Sequence, residues 1–243
     1  IRWKDRPAVI LCPGGAYRFT NDRESEPLAC AFLAEGYHVF SLRYSTEKGI
    51  YPAALEQLAR TVRLIRQNAG EWHVRKDAIV LAGFSAGGHL AAEYACKWDR
   101  PALSAAAEAE REELRPNALV LGYPVITAGA AAHEESIHNL LGAQDTPKMR
   151  RSVSLETQVS GCVPPVFLWH TATDEMVNAE NSLLFASALA REKIPYELHI
   201  YGSGVHGVSL GTRATVGEEK HVSHGCAGWF AQAARFLERV LPE

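Results

Sequence analysis

The chain has 243 residues, 47% hydrophobic and 22% charged, which is enough apolar material for the core of one α/β domain. A net charge of −3 and the absence of a long basic run argue against a nucleic-acid partner. The apolar runs are strand-sized, which excludes a membrane-spanning helix.

Short apolar runs alternate with helical patterns along the chain. The first predicted strand, Ala8–Cys12, leads into the turn Pro13-Gly14-Gly15-Ala16-Tyr17. A helix is predicted over Glu26–Glu35, a strand over Tyr37–Leu42, and a helix over Ala53–Asn68 with Leu55, Leu58, Val62 and Ile65 on one stripe. The strand Ile79–Ala82 runs into Gly83-Phe84-Ser85-Ala86-Gly87, and an Ala-rich helix is expected over Ala86–Trp98. Residues 99–116 read as a solvated surface helix. After the strand Ala118–Leu121, the long segment 124–165 holds Gly129, Gly142, Pro147 and Gly161. It reads as a small cap with short helices of its own, placed where open α/β sheets bind ligands. The strand Val166–His170, helix Asn178–Glu192, strand Tyr196–Tyr201 and helix Cys226–Val240 complete the series. Nearly continuous apolar strands separated by helices imply a parallel sheet covered on both faces. With no repeat, linker or break in composition, residues 1–243 read as a single domain.

Cys12, Cys30, Cys96, Cys162 and Cys226 are odd in number and widely spaced, without a Cys-x-x-Cys pair. They read as buried free thiols of a reducing, cytoplasmic compartment, not as a disulfide frame or a metal site. Ile1 is not an initiator methionine, so a longer reading frame and a removed leader stay open.

The sequence Gly83-Phe84-Ser85-Ala86-Gly87 between strand and helix has the form of a nucleophile elbow, with Ser85 on the sharp turn. Side chains at Gly83 or Gly87 would collide with the neighbouring strand or helix. A serine hydroxyl needs a base to take its proton. His206 lies in the glycine-bounded loop after Tyr196–Tyr201 and is the preferred base, with His221 and His224 as competitors. His89 reads as packed beside the elbow, and His170 and His199 as structural. Asp174 follows the strand Val166–His170 and is the preferred orienting acid over Glu175 and Asp145. The N–H of Ala86 and those of Gly15 and Ala16 are the candidate oxyanion donors. Tyr17, Phe19 and Tyr123 lie near the expected mouth as candidates for stacking on a sugar ring, Tyr17 and Tyr123 foremost, with plain packing as the favoured role.

Several stretches carry a resemblance. They are Pro13–Tyr17, Asp22–Pro27, Leu42–Ser45, Gly83–His89, Thr173-Asp174 and Gly204–Gly207. Together they resemble the α/β-hydrolase superfamily, in its esterase/lipase branch. More narrowly, the chain resembles bacterial carbohydrate acetyl esterases, including xylan acetyl esterases and feruloyl/acetyl esterases. Pro13 stands where such loops usually carry histidine, and Ala16 where they carry a third glycine. The resemblance implies an α/β-hydrolase fold, with two strands usual before the first one seen here and only Ile1–Pro7 to supply them. It implies a Ser85–His206–Asp174 serine esterase that removes acetyl groups from xylan-type oligosaccharides without metal or organic cofactor. The partners it implies are small-molecule or oligosaccharide esters, with homo-oligomerisation left open. A serine peptidase or arylformamidase-type amide hydrolase is the alternative on the same residues, and a non-enzymatic binding protein a more remote one.

Overall fold

A computed structural model describes residues 5–223 and 225–242. Ile1–Lys4, His224 and Glu243 lie outside the described residues, so the competing base His224 and most of the leading segment 1–7 have no structural account. Six strands form one sheet: β1 (Arg6–Cys12), β2 (His38–Ser41), β3 (Val74–Phe84), β4 (Ala118–Gly122), β5 (Val166–Thr171) and β6 (Tyr196–Tyr201). Their order is β2-β1-β3-β4-β5-β6, and every pair is parallel. The helices are α1 (Glu26–Ala34), α2 (Ala53–Gln67), α3 (Ala86–Lys97), α4 (Pro101–Ala107), α5 (Glu134–Leu141), α6 (Pro147–Ser152), α7 (Glu180–Arg191) and α8 (Trp229–Val240).

The apolar strands are unbroken because both faces are covered. Ile10, Leu81 and Leu119 pack on the α2, α3 and α7 side, while Val9, Val80 and Val120 pack on the α1 and α8 side. The chain winds outward from β1 to β2, then crosses to β3 on the other side of β1. Such a reversal opens a crevice at the carboxyl ends of the two strands beside it, β1 and β3. Here those ends are Cys12 and Phe84, each directly before a stretch singled out above.

Helix α3 is buried along its whole length, from Ala86 to Lys97. Its small residues seat it close against the sheet, which is why the segment is Ala-rich and has no amphipathic stripe. Residues 99–116 do not form one exposed helix. Helix α4 stops where Glu108 turns left-handed (φ 51°), a short 3-10 turn follows at Arg111–Leu114, and Leu103, Ala107 and Leu114 are buried. All five cysteines are free, but Cys30 is exposed and Cys162 only half-buried, so the expectation of uniformly buried thiols is corrected. Among the described residues no helix is long and apolar enough to cross a membrane.

Burial of α3 includes an ion pair one turn apart, Glu93 and Lys97. Tyr51 donates its hydroxyl to Glu93 at 2.8 Å, and Lys97 also donates to the Ser152 carbonyl at 2.9 Å. Desolvation works to raise the Glu93 pKa, but the charges of Lys97 and His89 and the hydrogen bonds from Lys97 and Tyr51 together outweigh it and keep the carboxyl below its ordinary range. Removing one partner of a buried pair strands the other charge. Lys97→Ala is expected to cost about 3–5 kcal/mol in urea unfolding, and a loss below about 1 kcal/mol would contradict this account.

Candidate active site

Ser85 follows the last residue of β3 and precedes the first turn of α3. Its backbone is left-handed, φ 54° and ψ −123°. A non-glycine residue held there stores strain of about 1–3 kcal/mol, tolerated when the surroundings determine the turn. The surroundings do so. A Cβ added at Gly83 would lie 2.4 Å from the Gly87 carbonyl oxygen, and one at Gly87 would lie 2.0 Å from that of Cys12. Both glycines are therefore required by close backbone approach.

The Ser85 hydroxyl lies 2.8 Å from His206 Nε2, and His206 Nδ1 lies 2.7 Å from Asp174 Oδ2. The loops after β3, β5 and β6 thus bring all three side chains together. Desolvation works to raise the Asp174 pKa. The hydrogen bonds from His170 and His206, the His206 charge and the Val177 N–H together outweigh it and hold the carboxyl well below its ordinary range. Asp174 Oδ1 accepts the N–H groups of Met176 and Val177 at 3.0 and 2.9 Å, which fixes the carboxylate plane. An ionised carboxylate only accepts, so the proton of the imidazole sits on Nδ1 and the Nε2 lone pair faces the serine hydroxyl. His170 Nε2 stands 3.3 Å from Asp174 Oδ2 and 2.9 Å from the Val177 carbonyl, and its Nδ1 pairs with Ser182. It buttresses the loop, in keeping with a structural histidine.

Gly15 and Ala16 line one cavity of about 710 Å³ together with Ser85 and His206. Among the described residues neither N–H has a hydrogen-bond partner. Ala16 and Tyr17 are left-handed at φ 54° and 56°, after Gly15 at φ 132°. That conformation explains why a glycine would be at ease at position 16, and alanine tolerates it at some strain. Ala86 opens α3, where the helix leaves its first N–H groups without internal partners. Phe19, His133, Glu135 and Met176 also line the cavity. His133 and Glu135 come from the 124–165 insertion, and Asn139 in α5 donates to the Ala16 carbonyl at 2.8 Å, fastening that insertion to the loop after β1.

Two expectations are corrected. Tyr17 and Tyr123 are 3% and 1% exposed and do not line the cavity, so neither ring is free to stack on a sugar. The Tyr17 hydroxyl is 2.9 Å from His89 Nδ1, while His89 Nε2 donates to the Val153 carbonyl at 2.9 Å. Burial lowers the His89 pKa, leaving a neutral ring packed beneath the elbow as expected. Burial and the neighbouring Glu24 charge push the Tyr123 phenol well up, and it donates to Glu24 at 2.6 Å. Phe19 (48% exposed) and Met176 (59% exposed) are the apolar side chains that remain open at the mouth. Of the competing bases, His221 reaches the cavity wall, but its Nδ1 accepts the Glu218 N–H at 3.0 Å and it has no contact with Ser85.

Glu24 was not among the residues singled out for a role. It is 1% exposed and accepts the Gly14 N–H at 2.7 Å in addition to the Tyr123 hydroxyl. The 22–27 stretch that contributes to the family likeness contains it, yet no spacing rule marks a carboxylate that faces inward from a three-residue turn.

The BD-FAE family profile matches residues 2–189. An endo-1,4-beta-xylanase B from Butyrivibrio fibrisolvens is 36% identical over 84% of this chain but only 33% of its own length. An acetylxylan esterase from Xylanibacter ruminicola is 28% identical over 84% of this chain and 42% of its own. The chain thus spans less than half the length of these relatives. Among solved structures, an acetyl ester-xyloside bifunctional hydrolase from Caldicellulosiruptor lactoaceticus superposes with a TM-score of 0.85 at 33% identity, covering 99% of this chain and 85% of that one. A carboxylesterase from Lactobacillus plantarum gives 0.87 at 32% identity, covering 99% and 88%. With its parallel sheet, its elbow and a profile match over most of its length, the chain belongs to the BD-FAE family and has the α/β-hydrolase fold.

Proposed function

We propose that the protein is a serine esterase in which Ser85, His206 and Asp174 act as the catalytic triad. The observation that carries this reading is the unbroken relay from Asp174 through His206 to a Ser85 that opens into a cavity beside spare backbone N–H groups. Ser85 Oγ attacks the ester carbonyl while His206 Nε2 takes its proton. Asp174 holds the imidazole in the required tautomer and stabilises the imidazolium. The Gly15, Ala16 and Ala86 N–H groups receive the oxyanion as the tetrahedral centre forms. That centre collapses, the imidazolium gives its proton to the departing alkoxide, and an acyl-serine remains. Water, deprotonated by His206, then releases the acid and restores the serine.

The substrate proposed is an acetyl ester on a xylan-type oligosaccharide. The names of the acetylxylan esterase and acetyl ester-xyloside hydrolase relatives support it. So does the cavity, where Phe19 and Met176 stand beside charged side chains such as Arg18, Glu135 and Lys220, a lining suited to a short acyl group on a polar alcohol. We read the chain as one domain for this purpose, since the described elements share a single sheet.

Ser85→Ala is expected to lower kcat by about 10⁶-fold, and activity within about tenfold of the parent would overturn the assignment. Acetate release from acetylated xylo-oligosaccharides should exceed hydrolysis of an acyl-peptide by orders of magnitude, and the reverse order would turn the reading to an amide hydrolase. The pH profile tests the relay. Asp174 is depressed, so its charge is complete wherever an ordinary imidazole titrates and is lost only at far lower pH. The acid limb of log kcat/KM should therefore rise with a slope of one, for a single group losing its proton. A slope of two would place a second titrating group in the machinery.

A further inference from the structure

We propose that Glu24 is a positioning residue that sets the oxyanion loop against the nucleophile and the histidine loop, an inference that rests on the Ser85 reading above. Its carboxylate is buried, and its two oxygens are divided between two loops. Oε2 accepts the Gly14 N–H at 2.7 Å, one residue before the candidate oxyanion donors. Oε1 accepts the Tyr123 hydroxyl at 2.6 Å, and that hydroxyl in turn accepts the Ser209 N–H at 3.0 Å, three residues past His206. The Tyr123 ring also packs edge-on against the His206 ring, with centroids 5.0 Å apart. A single side chain thus spans the end of β1, the end of β4 and the loop after β6.

The tether acts where tolerance is smallest. A Cβ at Gly14 would fall 2.7 Å from both Glu24 Oε2 and the Ser85 Cβ, so the loop is already pressed onto the nucleophile. The other side of Gly14 is fixed as well, its carbonyl accepting the Asn21 N–H at 2.9 Å. Glu24 itself is aimed by a short 3-10 turn at Asp22–Glu24, which the Asn21 side chain caps by accepting the Arg23 N–H at 3.1 Å. Without the carboxylate, Gly14 loses its acceptor and Tyr123 its partner together, and the Gly15 and Ala16 N–H groups are free to drift. A negative charge this near a developing oxyanion does not favour it, so Glu24 must contribute through geometry and not through its charge.

That distinction fixes the test. A glutamine keeps the Gly14 arm through its amide oxygen, but its amide nitrogen only donates, so the Tyr123 hydroxyl loses its acceptor and that arm is broken. With 4-nitrophenyl acetate, Glu24→Ala is expected to lower kcat by about 10²–10³-fold, the scale of a lost oxyanion donor, with KM within about threefold of the parent. Glu24→Gln, which keeps the Gly14 arm alone, should fall between the two, about tenfold below the parent. Thermal unfolding checks that both variants are folded, and if Glu24→Ala is not, Tyr123→Phe, which severs one arm, should lower kcat about tenfold or more at unchanged KM. An alanine variant with the parent's kcat, a change in KM alone, or a glutamine variant as poor as alanine would each overturn the proposal. Fluorophosphonate labelling of Ser85 in the parent reports on the nucleophile separately. Labelled Ser85 with unchanged Glu24→Ala kinetics sinks the tether alone, whereas an unlabelled Ser85 sinks both readings.

Discussion

The site depends on how little room there is around one turn. The chain must reverse between β3 and α3 within a single left-handed residue, and the carbonyls of Cys12 and Gly87 come closer than a methyl group allows. That crowding holds Ser85 in a conformation it would not choose, at the carboxyl edge of a parallel sheet. The buried length of α3 anchors the turn from behind, and β1 and β4 clamp β3 on either side. The strain is thus carried by a fully buried part of the molecule, where a local relaxation would have to move two strands and a helix.

The other contributors meet this fixed point from loops, each with its own restraint. Two backbone N–H groups hold the Asp174 carboxylate, and the carboxylate holds His206. The loop after β1, which holds the candidate oxyanion donors, is pinned by hydrogen bonds on both sides of Gly14. The arrangement is a rigid turn served by tethered loops, so most of its order is in place before a substrate arrives.

Much of this was legible in the sequence because it follows from short-range rules. Unbroken apolar runs separated by helices give a doubly covered parallel sheet, and the strand positions agree to within a few residues except for β3, which starts at Val74 instead of Ile79. The spacing of Gly83, Ser85 and Gly87 encodes a steric need, and Asp174 and His206 sit just past strand ends where topology puts them on the same edge. The failures have a common origin. Whether Tyr17 and Tyr123 face a cavity or the interior depends on which way a loop turns, and no periodicity reports that. The role of Glu24 rests on partners ten and ninety-nine residues away in the chain, contacts that exist only after folding. The break in residues 99–116 rests on one left-handed residue, Glu108, which composition does not single out.

The bond from Asn139 to the Ala16 carbonyl has an evolutionary consequence. The insertion between β4 and β5 supplies part of the cavity wall, and in a lineage exploring new esters it is the natural place for sequence change. Because the same insertion grips the loop that would receive the oxyanion, its remodelling cannot be silent at the reacting carbonyl. Selectivity and rate are then linked, and a change of substrate written into this segment brings a change of tempo with it.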